Sequence, residues 1–535
     1  FLQKVNNYMT KKKKKIGLIL GSGELATHCM EQLVYLDYDI TIARLPCSKV
    51  KIKKNIDFID IKYEQINEAF SFLRRKKIYE IALIGYIERP EINFKKVTLA
   101  SKKILLKVFE SLNKEETLML SLSAEKSHFC RLNQSKVRQI GEVQDAQLSL
   151  SMINKNRICH GSITLMNNFE ADLKKATHEL NRIKEEVVQL PEDPYLVMPA
   201  NGNSMVDINR GDLLASKDVV DSLTPIISDV DLAGIWASGN IYRGYSNSLG
   251  LFHWFETDTF SLDFSLVTEA ERMVKGTFAG NNWNQGDYES YMKKSIEKLE
   301  LLKKDSINVK PGNYRTYIAP AGVSDILDMF SWNCVGEASI RQGQSALIKL
   351  RDNKRLSDCF SLEEDFSSGF VPRFNSIGEI SPEVLNIIDN GMLRNTLISS
   401  RTAKEYNLDS NFASDGEYLR SPKIKPGKLE EKNILKELGT GLYLSNLHYL
   451  NWSDNLGGRI TGMTRYACFW VENGEFVAPI ENMRFDDSLY NFFGKNLESV
   501  SQDLEYIPSV GSYEQRSIGG SMCPGILLDS FKLTL

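Results

Sequence analysis

The sequence predicts an α+β protein built from a small Rossmann-like α/β unit over residues 1–96, an α+β domain over 97–195 and a large antiparallel, β-rich domain over 196–535. Three observations support this fold class. Apolar runs alternate with amphipathic segments up to about residue 90, which is typical of a small parallel sheet. Period-2 alternation between two helical segments follows, which is typical of an antiparallel sheet covered on one face. Beyond Pro199 the chain is rich in Gly, Asn, Ser and aromatic residues and consists mostly of strand-like segments.

The length and composition restrict the class of protein. The chain has 535 residues, of which 42% are hydrophobic. It can therefore form more than one core, because single cores stop growing at roughly 250–300 residues. Lys and Arg number 66 against 69 Asp and Glu, so the net charge of −3 favours neither nucleic acid nor an anionic membrane as partner. The eight cysteines are scattered without a C-x-x-C pair, and no apolar run approaches the length of about 18 residues that a membrane span needs. We expect a cytoplasmic protein.

A glycine-rich loop follows the first predicted strand. The strand IGLIL leads into GSGELA at residues 21–26, which matches the spacing G-x-G-x-x-[GA]. In such loops backbone N–H groups approach a phosphate at a helix N-terminus, so Gly21, Ser22 and Gly23 are candidate phosphate-binding residues. NAD binding also requires an acidic residue at the end of the second strand, and that strand ends in ARLP without a carboxylate. A phosphate or nucleotide contact and a purely structural tight turn both remain open.

The rest of the chain is assigned element by element from its periodicity. Between residues 98 and 194 two predicted helices, SKKILLKVFESLNK and NNFEADLKKATHELNRIKEEVVQL, enclose the strand-like segments ETLMLSLSAE, SHFCRLNQSKVRQIGEVQD, AQLSLSMI and RICHGSITL. The sequence PEDPY at 191–195 breaks the second helix and predicts a domain boundary. Later predicted strands are AGIWASGNIYRGYSNS, LFHWFETDTFSLDFSLV, NYRTYIAP, SALIKL, GLYLSNL, RYACFWVENGEFVAPI and PGILLDSFKL, with helices at DYESYMKKSIEKLELLKK and VSDILDMFSWNCV.

The residues by themselves identify no catalytic residue and no metal site. The six histidines, at positions 28, 128, 160, 178, 253 and 448, are never closer than 18 residues, and neither H-E-x-x-H nor H-E-x-x-x-H occurs. His178-Glu179 lies on an amphipathic helix without a second histidine, which favours a surface histidine. His253 and His448 could form a metal site only by converging in space. There is no G-x-S-x-G motif, and no cysteine has a histidine signature around it.

Five C-terminal segments resemble the TldD/PmbA peptidase family. In the family's order they are KPGNYRTYIAP (310–320), SLEEDF (361–366), IIDNGMLRNTLISSRTAKEYNL (387–408), GTGLYLSNLHYL (439–450) and GRITGMTRYACFWVENGEFVAPIENMRF (458–485). The resemblance covers about residues 97–535. It implies a PmbA/TldD-like fold, in which an α/β N-terminal domain precedes a large antiparallel β-rich domain.

The family contains two kinds of subunit, which differ in the metal motif. TldD-like chains carry H-E-x-x-x-H and bind zinc, whereas PmbA-like (TldE) chains lack the motif and pair with a TldD-like chain. Residues 324–346, where the motif is expected, contain no histidine here, so the resemblance is to the PmbA-like subunit. It implies that zinc and the catalytic glutamate come from a TldD-like partner. TldD-like chains also use a cysteine near the C-terminus as a ligand, but we expect Cys523 to pack beside the final strand.

The resemblance also implies how a substrate binds. In the family an unfolded peptide enters a cavity between subunits, and extended segments hold it by main-chain hydrogen bonds. By family position the candidate substrate-binding residues are Asn446, Thr461, Gly462, Met463, Thr464 and Arg465. The alternative is an ordinary strand-turn-strand in a core, with Asn473-Gly474 as its hairpin turn.

The first unit resembles a different family. IGLILGSGELATHCMEQL and EIALIGYIERPEI, within residues 15–95, resemble the N-terminal domain of LpxI-type UDP-2,3-diacylglucosamine pyrophosphatase. That enzyme needs its own C-terminal domain, which the peptidase-like region replaces here. We therefore expect a vestigial or regulatory domain, or a fusion of neighbouring reading frames. Two functions follow: a PmbA/TldE-like subunit of a zinc peptidase in a heterodimer, or a non-catalytic peptide-binding homodimer whose N-terminal unit senses a phosphate or nucleotide.

Overall fold

The computed structural model describes residues 13–22, 24–53, 55–62, 66–84, 107–352 and 354–534. The chain forms two compact units, Phe1–Phe94 and Lys95–Leu535. Residues 101–106 of the predicted helix SKKILLKVFESLNK lie outside the described residues, as does Gly23. No helix in the described part of the chain is long and apolar enough to cross a membrane.

The first unit is a Rossmann-like parallel sheet, as predicted. Its four strands lie in the order β3-β2-β1-β4 and all pair in parallel. Alternate residues of β1 and β2 face two different cores: Leu18, Leu20 and Ile42 lie in one, and Ile19 and Ala43 lie in the other, with α2. The elements are β1 (Lys15–Leu20), α1 (Glu24–Tyr35), β2 (Asp39–Arg44), β3 (Asp57–Asp60), α2 (Ile66–Arg75) and β4 (Ile81–Ile84). The sequence does not predict β3, because the residues of this short strand, DFID, are mostly exposed and form no apolar run.

A seven-stranded sheet opens the second unit. Its order is β11-β10-β9-β5-β6-β7, with β8 parallel to β10. The segment PEDPY, where the sequence predicts a domain boundary, follows the end of α3. Strands from both sides of this segment share one sheet, because β5 pairs with β6, which precedes PEDPY, and with β9, which follows it. The elements are β5 (Glu116–Asn133), β6 (Lys136–Asn154), β7 (Arg157–Thr164), α3 (Phe169–Val187), β8 (Met205–Asn209), α4 (Val219–Leu223), a 3-10 turn (Pro225–Ile227), β9 (Asp231–Asn247), β10 (Phe252–Val267), β11 (Met273–Gly280) and α5 (Gln285–Leu302).

The C-terminal region adds a nine-stranded and a six-stranded sheet, both mostly antiparallel. The larger sheet has the order β18-β19-β22-β26-β12-β17-β20-β21, with β23 on β26, and the smaller has the order β15-β14-β13-β16-β25-β24. Their strands are β12 (Gly312–Ile318), β13 (Leu362–Asp365), β14 (Val384–Asp389), β15 (Met392–Leu393), β16 (Pro422–Ile424), β17 (Gly441–Leu444), β18 (Asn446–Asp454), β19 (Arg459–Arg465), β20 (Phe469–Glu472), β21 (Glu475–Pro479), β22 (Arg484–Ser488), β23 (Leu497–Val500), β24 (Glu505–Pro508), β25 (Gly520–Cys523) and β26 (Ile526–Leu533).

Short helices connect these strands. They are α6 (Pro320–Ser331), α7 (Glu337–Arg341), α8 (Ile348–Arg351), α9 (Ser400–Tyr406), α10 (Ile434–Leu438), a 3-10 turn (Glu431–Asn433) and a helical turn over Asn491–Lys495. The predicted strand SALIKL is wrong, because part of it forms α8. Its buried residues Ala346, Leu347 and Leu350 are spaced as on one helix face, and six residues are too few to separate that spacing from strand alternation.

The α+β fold class is confirmed, and so is the hairpin at Asn473-Gly474. Both residues have positive φ, 50° and 80°, which suits the tight turn that joins β20 to β21. The largest core lies under the C-terminal sheets. In it the rings of Phe360 and Phe493 stack at 4.3 Å between centroids, and Phe330 packs edge-on against Phe493 at 5.6 Å.

Removal of the central ring of this core tests the packing. Phe493→Ala should lower the free energy of unfolding by about 3–5 kcal/mol, because it leaves a cavity between two buried rings. The measurement is chemical denaturation followed by tryptophan fluorescence. Phe412→Ala is the matched control, because Phe412 is 40% exposed and should change stability by no more than about 0.5 kcal/mol. Equal effects of the two substitutions would contradict this core assignment.

Candidate functional site

Helix α6 has one apolar face and one polar face. It begins at Pro320, a residue favoured in the first turn because it lacks an N–H group. Val323, Ile326, Leu327 and Phe330 follow at helical spacing and are almost completely buried in the C-terminal core. The opposite face carries four polar residues, namely Ser324, Asp325, Asp328 and Ser331, and all four line a cavity.

This cavity has a volume of about 1130 Å³. One wall is a face of the seven-stranded sheet, from β5, β6, β9 and β11. The other walls are α6, the connections at residues 371–376 and 414–420, and the segments around β24 and β25. The volume is slightly above the usual range of small-molecule pockets, roughly 300–1,000 Å³, so the cavity has room for a ligand larger than a typical small molecule.

Hydroxyl groups cover much of the sheet wall. Ser121 and Ser123 lie at alternate positions of β5 and therefore share one face, which also carries Ser149 of β6 and Thr277 of β11. The Ser123 hydroxyl already donates to the Gln515 side chain, and the Thr277 hydroxyl donates to Asp263 at 2.9 Å, so these two can only accept from a ligand. The hydroxyls of Ser121 and Ser149 can donate or accept. The wall can therefore bind polar backbone groups of a ligand in either orientation.

The cations in the cavity wall are already bonded within the protein or desolvated by it. Lys275 forms an ion pair with Asp263 at 2.5 Å. The guanidinium of Arg420 donates to the backbone carbonyls of Pro372, Arg373 and Phe374 at 3.1–3.2 Å. Burial lowers the pKa of Arg243 to about 10, with the charge of Glu125 opposing the shift.

The carboxylates of α6 lack such compensation. Asp325 accepts the N–H of Leu447 at 2.9 Å, and none of the ion pairs among the described residues involves Asp325 or Asp328. Burial, with a smaller contribution from the charge of the neighbouring Asp328, raises the pKa of Asp325 to about 7. Asp328 faces the open cavity and is exposed, yet the surrounding protein raises its pKa to about 6. Above these values the wall carries negative charge that a ligand's amino or guanidinium group would neutralise.

The predicted peptide-binding residues divide into two groups. Asn446, at the start of β18, lines the cavity. Thr461, Gly462, Met463, Thr464 and Arg465 lie in β19, outside the cavity wall, and Arg465 pairs with Asn446. Because β18 and β22 occupy both edges of β19, an added strand could pair only with the outer edge of β18. That edge is interrupted by a bulge at Tyr449, which has a φ of 53°.

The glycine-rich loop of the first unit uses its polar groups internally. The N–H of Gly21 donates to the carbonyl of Ile84 at 2.9 Å. The hydroxyl of Ser22 is buried and donates to the carbonyl of Cys47. Gly23 lies outside the described residues, so the phosphate-binding interpretation of this loop stays a prediction.

His253 and His448 do not converge on a metal. His253 in β10 is fully buried: its Nδ1 accepts the N–H of Met205 at 3.0 Å, and its Nε2 donates to the carbonyl of Gly378 at 3.0 Å. His448 lies in another sheet and packs on Tyr449. Cys523 is fully buried in β25, where burial raises its pKa to about 12. Within the described residues no three His, Cys, Asp or Glu side chains are grouped to hold a metal ion, so this part of the chain does not fit zinc.

The sequence analysis did not select Asp325 and Asp328, although it marked their helix as the place of the family's metal motif. A signal was present: two acidic residues three apart on an otherwise apolar helix share a face. What the sequence could not indicate is that this face meets a cavity formed by segments that are spread along the chain from β5 to β25.

Comparisons with known proteins agree with the architecture. Residues 311–535 match the family model described as the PmbA/TldA metallopeptidase C-terminal domain, and residues 15–129 match the LpxI N-terminal domain. No curated protein matches the chain in sequence. The similar solved structures cover 82% of this chain and show its fold.

Three of these structures each cover 82% of this chain. TldE from Thermococcus kodakarensis has a TM-score of 0.66 at 14% identity, with 100% of its own chain covered. A protein described as a modulator of DNA gyrase from Bacteroides thetaiotaomicron has a TM-score of 0.65 at 15% identity, with 99% covered. A similarly described protein from Thermotoga maritima has a TM-score of 0.63 at 13% identity, with 100% covered.

The raised pKa of Asp325 predicts a specific pH dependence of stability. The pKa in the folded protein, about 7, lies above the value of an unfolded aspartate, so the contribution to stability is full at low pH and is lost as the pH rises through 7. Because asparagine does not titrate, the free energy of unfolding of Asp325→Asn should fall less than that of the wild type between low and neutral pH, by at most about 4 kcal/mol. Denaturation from about pH 4 to about pH 8 measures it.

Ser324→Ala is the matched control on the same face of α6. It removes an uncharged hydroxyl that bonds to the Ser521 hydroxyl at 2.7 Å, so it should shift stability equally at every pH. An Asp325→Asn variant with the wild-type pH dependence would contradict the burial argument.

Proposed function

From its similarity to the PmbA/TldE-like proteins in fold and over residues 311–535, we propose that this chain is the PmbA/TldE-like subunit of a zinc-dependent peptidase. The peptidase would degrade or trim unfolded or modified peptides. A TldD-like partner would form the heterodimer and supply both the zinc ion and the catalytic glutamate. The present chain would hold the peptide.

The large cavity beside α6 is the observation that carries this proposal. It joins a hydroxyl-rich sheet wall to a pair of carboxylates, and Asn446 lies on its rim at the start of an edge strand. Hydroxyl groups can bind the carbonyl and N–H groups of an extended peptide of any sequence. The carboxylates favour a peptide that brings its amino terminus or a basic side chain to α6.

The described residues contain no group of three possible metal ligands, so we assign different roles to this chain and to its partner. We assign no bond-breaking step to this chain, because its residues around α6 do not fit a zinc ion. Its contribution would be to bind the peptide, to orient it and to limit access of water, which are the contributions of substrate-positioning residues. The eight cysteines all lie within the described residues and form no disulfide bond, which supports a reducing compartment such as the cytoplasm.

A substitution that fills the cavity tests this function. Ser121→Trp places a large side chain on the cavity face of β5 and should lower peptide affinity and heterodimer-dependent cleavage by at least about tenfold, because it occupies the space of the peptide. Ser216→Trp is the control, since Ser216 is exposed in a turn and does not line the cavity.

The measurements are peptide binding to this chain and peptide cleavage by its mixture with a TldD-like chain from the same organism. Thermal melting and co-purification with the partner show that both variants fold and assemble. Cleavage that survives Ser121→Trp in a folded complex would place the peptide elsewhere. Peptide binding by a homodimer that remains inactive with every TldD-like chain would favour the non-catalytic binding protein instead.

A further inference from the structure

A second, much smaller cavity lies behind the wall of the large one. Its volume is about 10 Å³, and it shares Ser414, Tyr418 and Arg420 with the large cavity. Glu364 of β13 reaches it from the other side, with only 3% of its surface exposed. The Glu364 Oε2 atom and the Ser414 Oγ atom are both buried and have no hydrogen-bond partner.

The other oxygen of Glu364 holds the wall of the large cavity. Glu364 Oε1 accepts the N–H of Arg420 at 2.7 Å and the N–H of Ser421 at 3.0 Å. The Arg420 side chain then reaches the carbonyls of Pro372 and Phe374, both at 3.1 Å. The Arg420 side chain therefore ties two wall segments, residues 371–376 and 414–420, to each other, and Glu364 holds the backbone of Arg420 in place.

The two unpartnered oxygens meet the requirements of a bound water. A buried carboxylate oxygen without a partner is costly, and such groups in folded proteins usually bind an internal water. A cavity needs roughly 10–15 Å³ and two to four polar partners to hold one water molecule. This cavity has that volume and offers a carboxylate oxygen and a hydroxyl.

We propose that Glu364 and Ser414 bind one buried water molecule and that this hydrated carboxyl is a proton-sensitive support of the large cavity wall. When Glu364 is ionised, the water donates to Oε2. When it is protonated, the proton stays on Oε2, the Oε2–H group donates a hydrogen bond to the water, and Oε1 becomes a weaker acceptor for the N–H groups of Arg420 and Ser421. Protonation of Glu364 thus weakens the hydrogen bonds that hold Arg420 and Ser421 in the cavity wall.

The surroundings of Glu364 support this behaviour. Burial raises its pKa to about 7, against the opposing effects of Arg420 and of the two N–H groups. Arg420 and Tyr418 are the other titratable residues that line the small cavity. The lysines of the adjacent strand β16 are bound elsewhere: Lys423 pairs with Asp365, and Lys425 pairs with Glu363 and Asp389.

Amide hydrogen exchange at Arg420 and Ser421 tests the support directly. After correction for the intrinsic pH effect, protection of these amides should fall by about tenfold as the pH drops through 7, because charged acceptors bind more strongly than neutral ones. Glu364→Gln should abolish the step, since glutamine does not titrate. Glu363→Gln, on the same strand, should keep it. A step that persists in Glu364→Gln, or that is missing from the wild type, overturns the proposal.

Two further measurements keep the test decisive if Glu364→Gln fails to fold. A high-resolution crystal structure of the wild type should show density within hydrogen-bond distance of Glu364 Oε2 and Ser414 Oγ, and a dry cavity would overturn the water site. Infrared titration of the wild type and Glu363→Gln should show a protonated-carboxyl band disappearing near pH 7. The frequency of this band should shift in Ser414→Ala, because that substitution removes one hydrogen-bond partner of the water. An unchanged band would contradict the proposal that a water joins Glu364 and Ser414.

The consequence for peptide binding rests on the proposed function. Affinity for an acetylated, amidated and uncharged peptide should fall below pH 7 in the wild type and not in Glu364→Gln. An uncharged peptide minimises the direct effect of Asp325 and Asp328, which titrate in the same range. No binding at any pH would count against the proposed function alone, whereas binding without a pH step would count against the Glu364 support.

Discussion

The second unit depends on how helix α6 is held between a core and a cavity. The apolar face of α6 is buried in the largest core, and its first turns are bonded to the connection between β17 and β18. The N–H of Ala319 donates to Leu444 at 2.9 Å, and the N–H of Gly322 donates to Ser445 at 3.1 Å. Asp325 completes the attachment by accepting the N–H of Leu447. This arrangement fixes the direction in which the polar face points.

The chemistry of the cavity follows from that constraint. Two carboxylates are held against a wall whose cations are already bonded to the protein, so their charge is available to a ligand. Ionising them costs more than in water, because the surrounding protein removes part of their solvation and so raises both pKa values. A cationic group of a bound peptide would offset that cost. In another wall of the cavity, Glu364 accepts the N–H of Arg420, and burial raises the pKa of Glu364 as well. Raised carboxyl pKa values therefore occur at two sides of the cavity.

Much of the fold could be predicted from the sequence, because most elements have a clear period. The long strands β5, β6, β9 and β10 alternate over 16–19 residues, and α3 and α5 repeat apolar residues at helical spacing. The segment SALIKL, part of which forms α8, was wrongly predicted as a strand because six residues are too few to separate a helical from an alternating pattern. The order of strands was not predictable from one sequence, and it decides that β19 lies inside a sheet while β18 forms an edge. The unpaired oxygens of Glu364 and Ser414 likewise have no sequence signature, since they result from packing between distant segments.

The central claim is that this chain binds peptide while a TldD-like partner supplies zinc and cleavage. The most direct measurement is metal content together with peptidase activity on an unfolded peptide, first for this chain alone and then for its mixture with a TldD-like chain from the same organism. The account predicts no cleavage by the chain alone and zinc-dependent cleavage by the mixture. Stoichiometric zinc and cleavage by this chain alone would contradict it.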